Sequence, residues 1–432
     1  MTSEKIYDYE LYTFPIGEKF NRDPEDFYII YSPLSKKNML CSKAEKDHIK
    51  KCLHDEDADN KNLLDSLELS PKKNIKYDIS CPQGIGDIRK MSFLPTHKCN
   101  FSCSYCFSAE GRSTEVISEE KAKKAIDFFI NPERTNKREL WLAILGGGEP
   151  LTEIDFVERM IAYARKRSWE LGFKLGIGLT TNGSIINERL IRIIKENYVV
   201  MSVSFEVLED IQNLQRKNYD LVSRNISTML DSGIELTIKS IITPDNVTRL
   251  EEMIEHLHTE FPKVKAIKLQ PVESTDIFKS EQELASFYQT FTDNFFKAKR
   301  KADAYGIDMY CVSSKFSELI MEHFCGNEIC VTPNGKITIC HRISSDKEDS
   351  FSKFNYGNIA NDGIKIDDKT LTQLARSNVG LEECSECFAK WHCAGGCLIQ
   401  RHIYDDSMFS TICEWNRNFL KEILFRRLID EN

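Results

Sequence analysis

Between Lys90 and Tyr305 the chain alternates short apolar segments with longer amphipathic ones. Lys90–Leu94, Leu140–Leu145, Leu175–Thr180, Val199–Phe205, Leu236–Ile242 and Ala266–Leu269 are apolar on both faces and rich in β-branched residues. That pattern predicts buried parallel strands. The first helix is predicted from Ser118, an N-cap with Glu119 and Glu120 in its first turn. Ala122, Ala125, Ile126, Phe129 and Ile130 then form one buried stripe at i, i+3, i+4, i+7 and i+8. Further helices are expected over Ile154–Leu171, Asn187–Glu196, Asp220–Asp231, Val247–Glu260 and Glu281–Ala304. Six strand–helix units in series imply an α/β fold, with a parallel sheet and right-handed crossovers. Six units fall short of the eight that close a barrel, so an open, partial barrel over 91–310 is expected.

The pattern differs on either side. In residues 1–90, Phe27–Tyr31 and Asn38–Cys41 read as a hairpin, and Ser42 with Glu45 as a capping box opening a helix to about Leu53. Leu63, Leu64, Leu67 and Leu69 suggest a second short helix, and the acidic run Asp55–Asp59 a solvated connection. A small α+β module is therefore expected before the barrel. From 311 to 432 the alternation stops. Cysteine, glycine and proline dominate there, and the apolar residues look too few for a core without help from metal.

Composition narrows the function. The 432 residues are 41% hydrophobic and 29% charged, with a net charge of −9. Lys and Arg form no dominant block, so a nucleic-acid partner is not expected. No apolar run reaches the ~18 residues of a membrane span and the start lacks a signal-peptide core, which points to no membrane and a cytoplasmic location. In a reducing compartment the 15 cysteines read as metal ligands or catalysts, not as disulfides. They cluster: Cys99, Cys103 and Cys106 form one tight group, and eight more lie between Cys325 and Cys413.

Cys99, Cys103 and Cys106 have CxxxCxxC spacing directly after the first barrel strand, where α/β barrels place their chemistry. Three thiolates can hold a 4Fe–4S cube and leave one iron open. The competing reading is a zinc site with His97 as fourth ligand. The second strand ends in Gly146-Gly147-Gly148-Glu149-Pro150, where glycines admit a close ligand and Glu149 can accept from an ammonium. Together these elements resemble the radical SAM superfamily, whose fold is a partial (β/α)6 barrel. The resemblance implies that the open iron chelates S-adenosylmethionine. Its reductive cleavage, fed by an external flavodoxin- or ferredoxin-type reductant, would give a 5′-deoxyadenosyl radical that takes a hydrogen atom from substrate. It places Tyr105 and Phe107 near the adenine, and Gly147, Gly148 and Glu149 at the methionine end. Ser204 and Glu206 would sit near the ribose and Lys239 at the carboxylate. Phe205-Glu206 departs from the Leu-Asp-Gly usual in relatives.

The C-terminal cysteines resemble the SPASM arrangement of radical SAM peptide- and protein-modifying enzymes. By that resemblance Cys325, Cys330, Cys340 and Cys397 hold one auxiliary 4Fe–4S cluster, and Cys384, Cys387, Cys393 and Cys413 a second. Three clusters then use 11 of the 15 cysteines. Cys41, Cys52, Cys81 and Cys311 remain as ordinary buried thiols. Sulfatase-maturing relatives carry an Asp after the cysteine matching Cys340; here His341 and Arg342 follow, as in thioether-forming maturases. His341 is the one catalytic candidate, though a hydrogen bond toward a cluster sulfur is the preferred role. Residues 1–90 resemble in layout a module that binds a precursor's leader peptide by strand addition, and Lys43, Lys46, Lys50 and Lys51 are positioned to meet an acidic leader. The expectation is a maturase of ribosomally made peptides that forms thioether crosslinks. The alternatives are a carbon–carbon (cyclophane) crosslinker, an anaerobic formylglycine-generating sulfatase maturase, a non-peptide dehydrogenase or coenzyme-biosynthesis enzyme, and a non-catalytic electron-transfer protein.

Overall fold

The structure, a computed structural model, describes residues 3–6, 10–54, 60–69 and 75–430. The acidic run Asp55–Asp59 lies outside the described residues. The N-terminal part is a four-stranded antiparallel sheet, β1 (Glu4–Ile6), β2 (Leu11–Pro15), β3 (Phe27–Ser32) and β4 (Lys37–Ser42), followed by α1 (Lys43–His54) and α2 (Asn60–Ser66). Only the β3–β4 hairpin was legible as such. The capping box forms: the Glu45 backbone N–H donates to Ser42 Oγ (3.3 Å), and the Ser42 N–H to Glu45 Oε2 (2.7 Å). Strand alternation explains why Phe27-Tyr-Ile-Ile-Tyr31 is apolar throughout. Tyr28 and Ile30 pack under Ile49, Leu53 and Leu64, while Ile29 and Tyr31 face Phe388, Leu420 and Leu424 of the C-terminal segment. Three of the four lysines of the expected basic face are engaged internally, and Lys51 is exposed. Lys43 pairs with Glu25 (2.7 Å), Lys46 is buried over the Tyr28 ring (3.9 Å), and Lys50 pairs with Glu4.

The central unit is a run of parallel strands: β5 (Lys90–Phe93), β6 (Glu139–Ile144), β7 (Lys174–Thr181), β8 (Val199–Ser204), β9 (Leu236–Ile242) and β10 (Ala266–Pro271). Helices α3 (Glu119–Phe129), α4 (Ile154–Glu170), α5 (Glu188–Glu196), α6 (Glu209–Gln215), α7 (Tyr219–Asp231), α8 (Leu250–Glu260) and α9 (Glu281–Ala304) intervene. Ser118 caps α3 through the Lys121 N–H, and the stripe Ala122, Ala125, Ile126, Phe129 is buried as expected. A short edge strand, β11 (Asp308–Tyr310), joins β10 in parallel.

The C-terminal segment is built onto the same sheet. β12 (Ile329–Val331) pairs in parallel with β5, and β13 (Lys336–Thr338), β14 (Asn355–Ala360) and β15 (Gly363–Ile366) continue the sheet as an antiparallel meander. One eleven-stranded sheet thus crosses residue 310. Three-residue strands suffice because they extend an existing sheet and core: Ile329, Val331, Ile337, Phe354 and Tyr356 join the same buried cluster as Met91 and Phe93. After the short helices α10 (Phe351–Phe354), α11 (Asp368–Arg376), α12 (Lys390–Cys393) and α13 (Leu398–Ile403), a 25-residue helix α14 (Asp406–Asp430) lies along α9. Trp415 stacks on Tyr288 at 4.2 Å, and Phe419 packs among Phe291, Phe295 and Phe296.

Candidate active site

The loops after β5, β6 and β7 are laced together. Gly146 and Gly147 have φ of +42° and +80°, in the left-handed region that glycine occupies without penalty. Gly148 passes so close to the cysteine loop that a Cβ would stand 1.9 Å from the Lys98 carbonyl oxygen. The next residue uses that approach: the Glu149 N–H donates to Lys98 O at 2.7 Å. The Glu149 carboxylate accepts from Thr181 Oγ1 (2.7 Å), the Asn182 N–H (2.7 Å) and the Leu151 N–H (3.1 Å). Burial pushes its carboxyl up from the ordinary range, against the pull of those donors. Asn182 in turn donates to Asn100 Oδ1 at 2.9 Å. Thr181-Asn182-Gly183 is therefore a latch between loops as well as a turn.

These loops open on a cavity of about 760 Å³ that runs along the inner face of the sheet. Cys99, Cys103 and Cys106 line one part of it, with Tyr105, Phe107, Gly147, Gly148, Glu149, Ser204 and Lys239. Cys325, Cys340, Cys397, Cys393 and Cys413 line another. Burial raises the Cys103 and Cys106 thiols above their usual value, and it raises Cys325 to about 12 and Cys384 to about 11. Such thiols become thiolates only beside compensating positive charge, as a metal centre provides. Cys325, Cys340 and Cys397 lie within electrostatic reach of one another, as do Cys384, Cys387, Cys393 and Cys413. Cys330 is buried on β12, opposite Ser92 of β5. None of the 15 cysteines, all among the described residues, is in a disulfide. Cys41, Cys81 and Cys311 are buried as expected, whereas Cys52 is half-exposed near His48.

Two expectations change. Glu206 does not face the cavity. It is fully buried, taking hydrogen bonds from Ser240 Oγ (2.6 Å), the Ile241 N–H (2.9 Å) and the Tyr105 hydroxyl, with Arg216 3.9 Å away. Arg216 also donates to Tyr105 Oη at 2.9 Å. Burial works against the Arg216 cation, and Tyr105, Cys103 and Glu206 more than restore it. Glu206 thus anchors Tyr105 and Arg216 and is not placed to reach a ribose. His97 is likewise unavailable as a zinc ligand, because Nδ1 meets Ser113 Oγ (3.2 Å) and Nε2 meets Ser344 O (2.9 Å).

Sequence reasoning missed a charged group on the cavity wall. Glu328 accepts from Lys90 Nζ (2.5 Å), Ser92 Oγ (2.7 Å) and His341 Nδ1 (2.7 Å). His341 and Lys90 hold its carboxyl well below the usual range despite burial. His341 accordingly gives Nδ1 to a carboxylate, and its ring meets Phe107 edge-on at 6.3 Å. Arg342 pairs with Glu273. Lys268, one strand from Lys239, also lines the cavity. A lysine inside the apolar run Ala266-Ile-Lys-Leu269 was the available signal.

Residues 93–257 match the Radical SAM superfamily model. A cysteine-type anaerobic sulfatase-maturating enzyme from Clostridium perfringens is 23% identical over 376 residues, covering 77% of this chain and 95% of its own. Among solved structures, native anSMEcpe with bound AdoMet superimposes with a TM-score of 0.61 at 18% identity, covering 79% of this chain and 98% of that one. Streptococcus suis SuiB bound to its precursor peptide SuiA gives 0.52 at 14% identity, covering 89% and 98%. With the cysteine loop, the glycine loop and the parallel sheet in place, residues 93–257 form a radical SAM domain.

Proposed function

We propose that this enzyme modifies a ribosomally made precursor peptide, with thioether crosslinking as the favoured reaction. The observation that carries the reading is the shared cavity: the Cys99/Cys103/Cys106 loop and the second cysteine group face one space. A substrate held there would lie between a site of hydrogen abstraction and an electron acceptor. Cys99, Cys103 and Cys106 would hold the SAM-binding cluster. Cys325, Cys330, Cys340 and Cys397 would hold one auxiliary cluster, and Cys384, Cys387, Cys393 and Cys413 the other. When bound, these clusters supply reductive cleavage of S-adenosylmethionine, hydrogen-atom abstraction and electron removal. The spacing of the thiols favours clusters over single zinc ions. Zinc at 2.3 Å needs its thiolates about 3.8 Å apart; among the described residues the one trio of donors within 4.8 Å is Glu328, Cys340 and His341.

The chain's own residues do the rest. Glu149 fixes three loops, Lys239 offers a cation to the cofactor's carboxylate, and Ser204 faces the same cavity. The Glu328–Lys90 pair orients His341 beside Phe107. The N-terminal sheet is the candidate leader-binding element, in keeping with SuiB, whose structure holds its precursor peptide.

Formylglycine formation is the second reading, favoured by the sulfatase-maturating relative. Mass spectrometry of treated precursor, with and without iodoacetamide, separates the two. A thioether makes the product about 2 Da lighter per link and protects the linked Cys from alkylation. Formylglycine from Cys shows loss of sulfur. Alkylatable cysteines in a lighter product would defeat the thioether assignment and support a carbon–carbon link.

A further inference from the structure

Lys239 and Lys268 are register partners on adjacent parallel strands, β9 and β10, and both line the cavity. Neighbouring strands stand about 4.8 Å apart, so two ammonium stems project side by side. Lys239 donates to the Thr180 hydroxyl at 3.0 Å, a neutral partner. Lys268 has neither a hydrogen bond nor an ion pair among the described residues. The nearby carboxylates are committed elsewhere: Glu328 to Lys90 and His341, Glu273 to Arg342, Glu149 to three donors, and the fully buried Glu206 to Ser240, Tyr105 and the cavity-lining Arg216. Burial and the mutual repulsion of Lys90, Lys239 and Lys268 disfavour both free ammoniums. Like charges buried together without a counter-ion are costly, and such a pair is kept where a ligand supplies the anion. S-adenosylmethionine brings one carboxylate, which satisfies one lysine. The second cation calls for a second anion. Trp141, also on the cavity wall, turns its ring over Gly176 and Gly178, where a Cβ would stand 2.3 and 2.8 Å from it.

We propose that Lys268, beside Lys239, forms a subsite for a carboxylate of the peptide substrate, so that the residue presented for hydrogen abstraction is acidic or adjoins an acidic group. This rests on the peptide-modifying reading above. The carboxylate could belong to an Asp or Glu side chain or to a free C-terminus, and the probes separate these. Iron-reconstituted full-length enzyme with S-adenosylmethionine and no reductant is titrated anaerobically with fluorescent pentapeptides. One carries Asp with an amidated C-terminus, one carries Asn in its place, and one carries Asn with a free C-terminus. Tighter binding of either carboxylate-bearing probe than of amidated Asn, by about tenfold or more, is expected, as for a charge-assisted hydrogen bond. Whichever probe gains identifies the source. Lys268→Gln is expected to erase the preference and Lys268→Arg to keep it, with iron content matching wild type as the check on folding. Equal binding of all three probes, or a preference that survives Lys268→Gln, overturns the subsite while leaving the peptide reading standing. N-acetyl-aspartate methylamide and its asparagine counterpart form a second pair. Discrimination within this pair that depends on Lys268, when none of the pentapeptides binds at all, would uphold the subsite and overturn the peptide reading instead.

Discussion

Replacing Lys239 with Met tests whether this cation is maintained for a ligand at the expense of the fold. In the ligand-free protein, burial first, then Lys268 and Lys90, pull the Lys239 ammonium from its ordinary 10.5 to about 8. At neutral pH the folded state therefore carries a charge it disfavours. The drop corresponds to at most ~3.4 kcal/mol, and screening by water in an open cavity reduces the expected gain on removal to about 2 kcal/mol. Methionine keeps the apolar stem and fills the same lumen. Lys239→Met is thus expected to raise the melting temperature of S-adenosylmethionine-free enzyme at pH 7 by roughly 2 °C. The pH dependence has a definite sign. Between about 8 and 10.5 the unfolded chain binds the lysine proton and the folded one does not, so wild-type stability rises with pH in that window relative to the variant. The variant's advantage is full below pH 8 and closes toward pH 10. With S-adenosylmethionine present the order reverses, because only wild type offers the cation to the carboxylate. Anaerobic calorimetry on samples of matched iron content, at pH 7, 8 and 9.5, measures all of this. A variant less stable than wild type at pH 7, or a gap that does not change with pH, would refute the reasoning.

Glu206→Gln leaves Arg216 buried without its counter-charge; a loss of about 3–5 kcal/mol is expected, read as a large fall in melting temperature with cofactor affinity little changed in what folds. A shift in S-adenosylmethionine affinity at constant melting temperature would restore the ribose role to Glu206. Replacing Cys99, Cys103 and Cys106 together with Ala is expected to lower reconstituted iron by roughly a third, from about 12 per chain, and to abolish 5′-deoxyadenosine formation under dithionite; stoichiometric zinc with little iron would defeat the cluster assignment. Gly148→Ala drives a Cβ to 1.9 Å from Lys98 O and 2.6 Å from Lys98 C, so the cysteine loop must shift and cluster loading should fall sharply. Gly172→Ala, with nothing within 4 Å of its Cβ and only its φ of +68° to strain it, is expected to cost about 1 kcal/mol and to keep its iron; equal iron loading in the two variants would falsify the close-approach argument.

The N-terminal module bears on how leader binding can be tested. Its sheet packs Tyr12, Phe14, Ile29 and Tyr31 directly against Phe388, Ala389, Leu420 and Leu424, beside Cys387 and Cys393. The Tyr31 hydroxyl meets His392 Nε2 at 2.5 Å, and Glu10 bonds both Lys390 and Trp391 at 2.9 Å. Deleting the module would uncover this apolar face and loosen the helix that carries Cys393. Lost peptide binding would then be uninterpretable. Substitutions on the outer surface of β4, where Leu40 is exposed, probe strand addition without opening that face.

What the sequence made legible follows from how each signal is encoded. Strands β5–β10 were readable because one face of each is buried and the other lines a partly enclosed cavity, so their apolar composition marks them. The three-residue strands β1 and β11 are too short to carry such a signature. The two cysteine groups and the glycine loop were readable because their spacing is local. Glu206 was misplaced for an instructive reason. Alternation along β8 puts Ser204 and residue 206 on one face, but β8 ends at Ser204 and Val207 already has φ of +69°. Period-two reasoning fails where the chain stops being extended, and there the carboxylate turns back to Ser240 and Arg216. The lysine pair was hidden differently. Lys239 alone reads equally well as a solvated strand-end residue and Lys268 only as a lysine inside an apolar run, and the register of β9 against β10 reveals that they share one space. Charge compensation is a property of that space, not of either strand, and a strand-by-strand reading has no means of summing it.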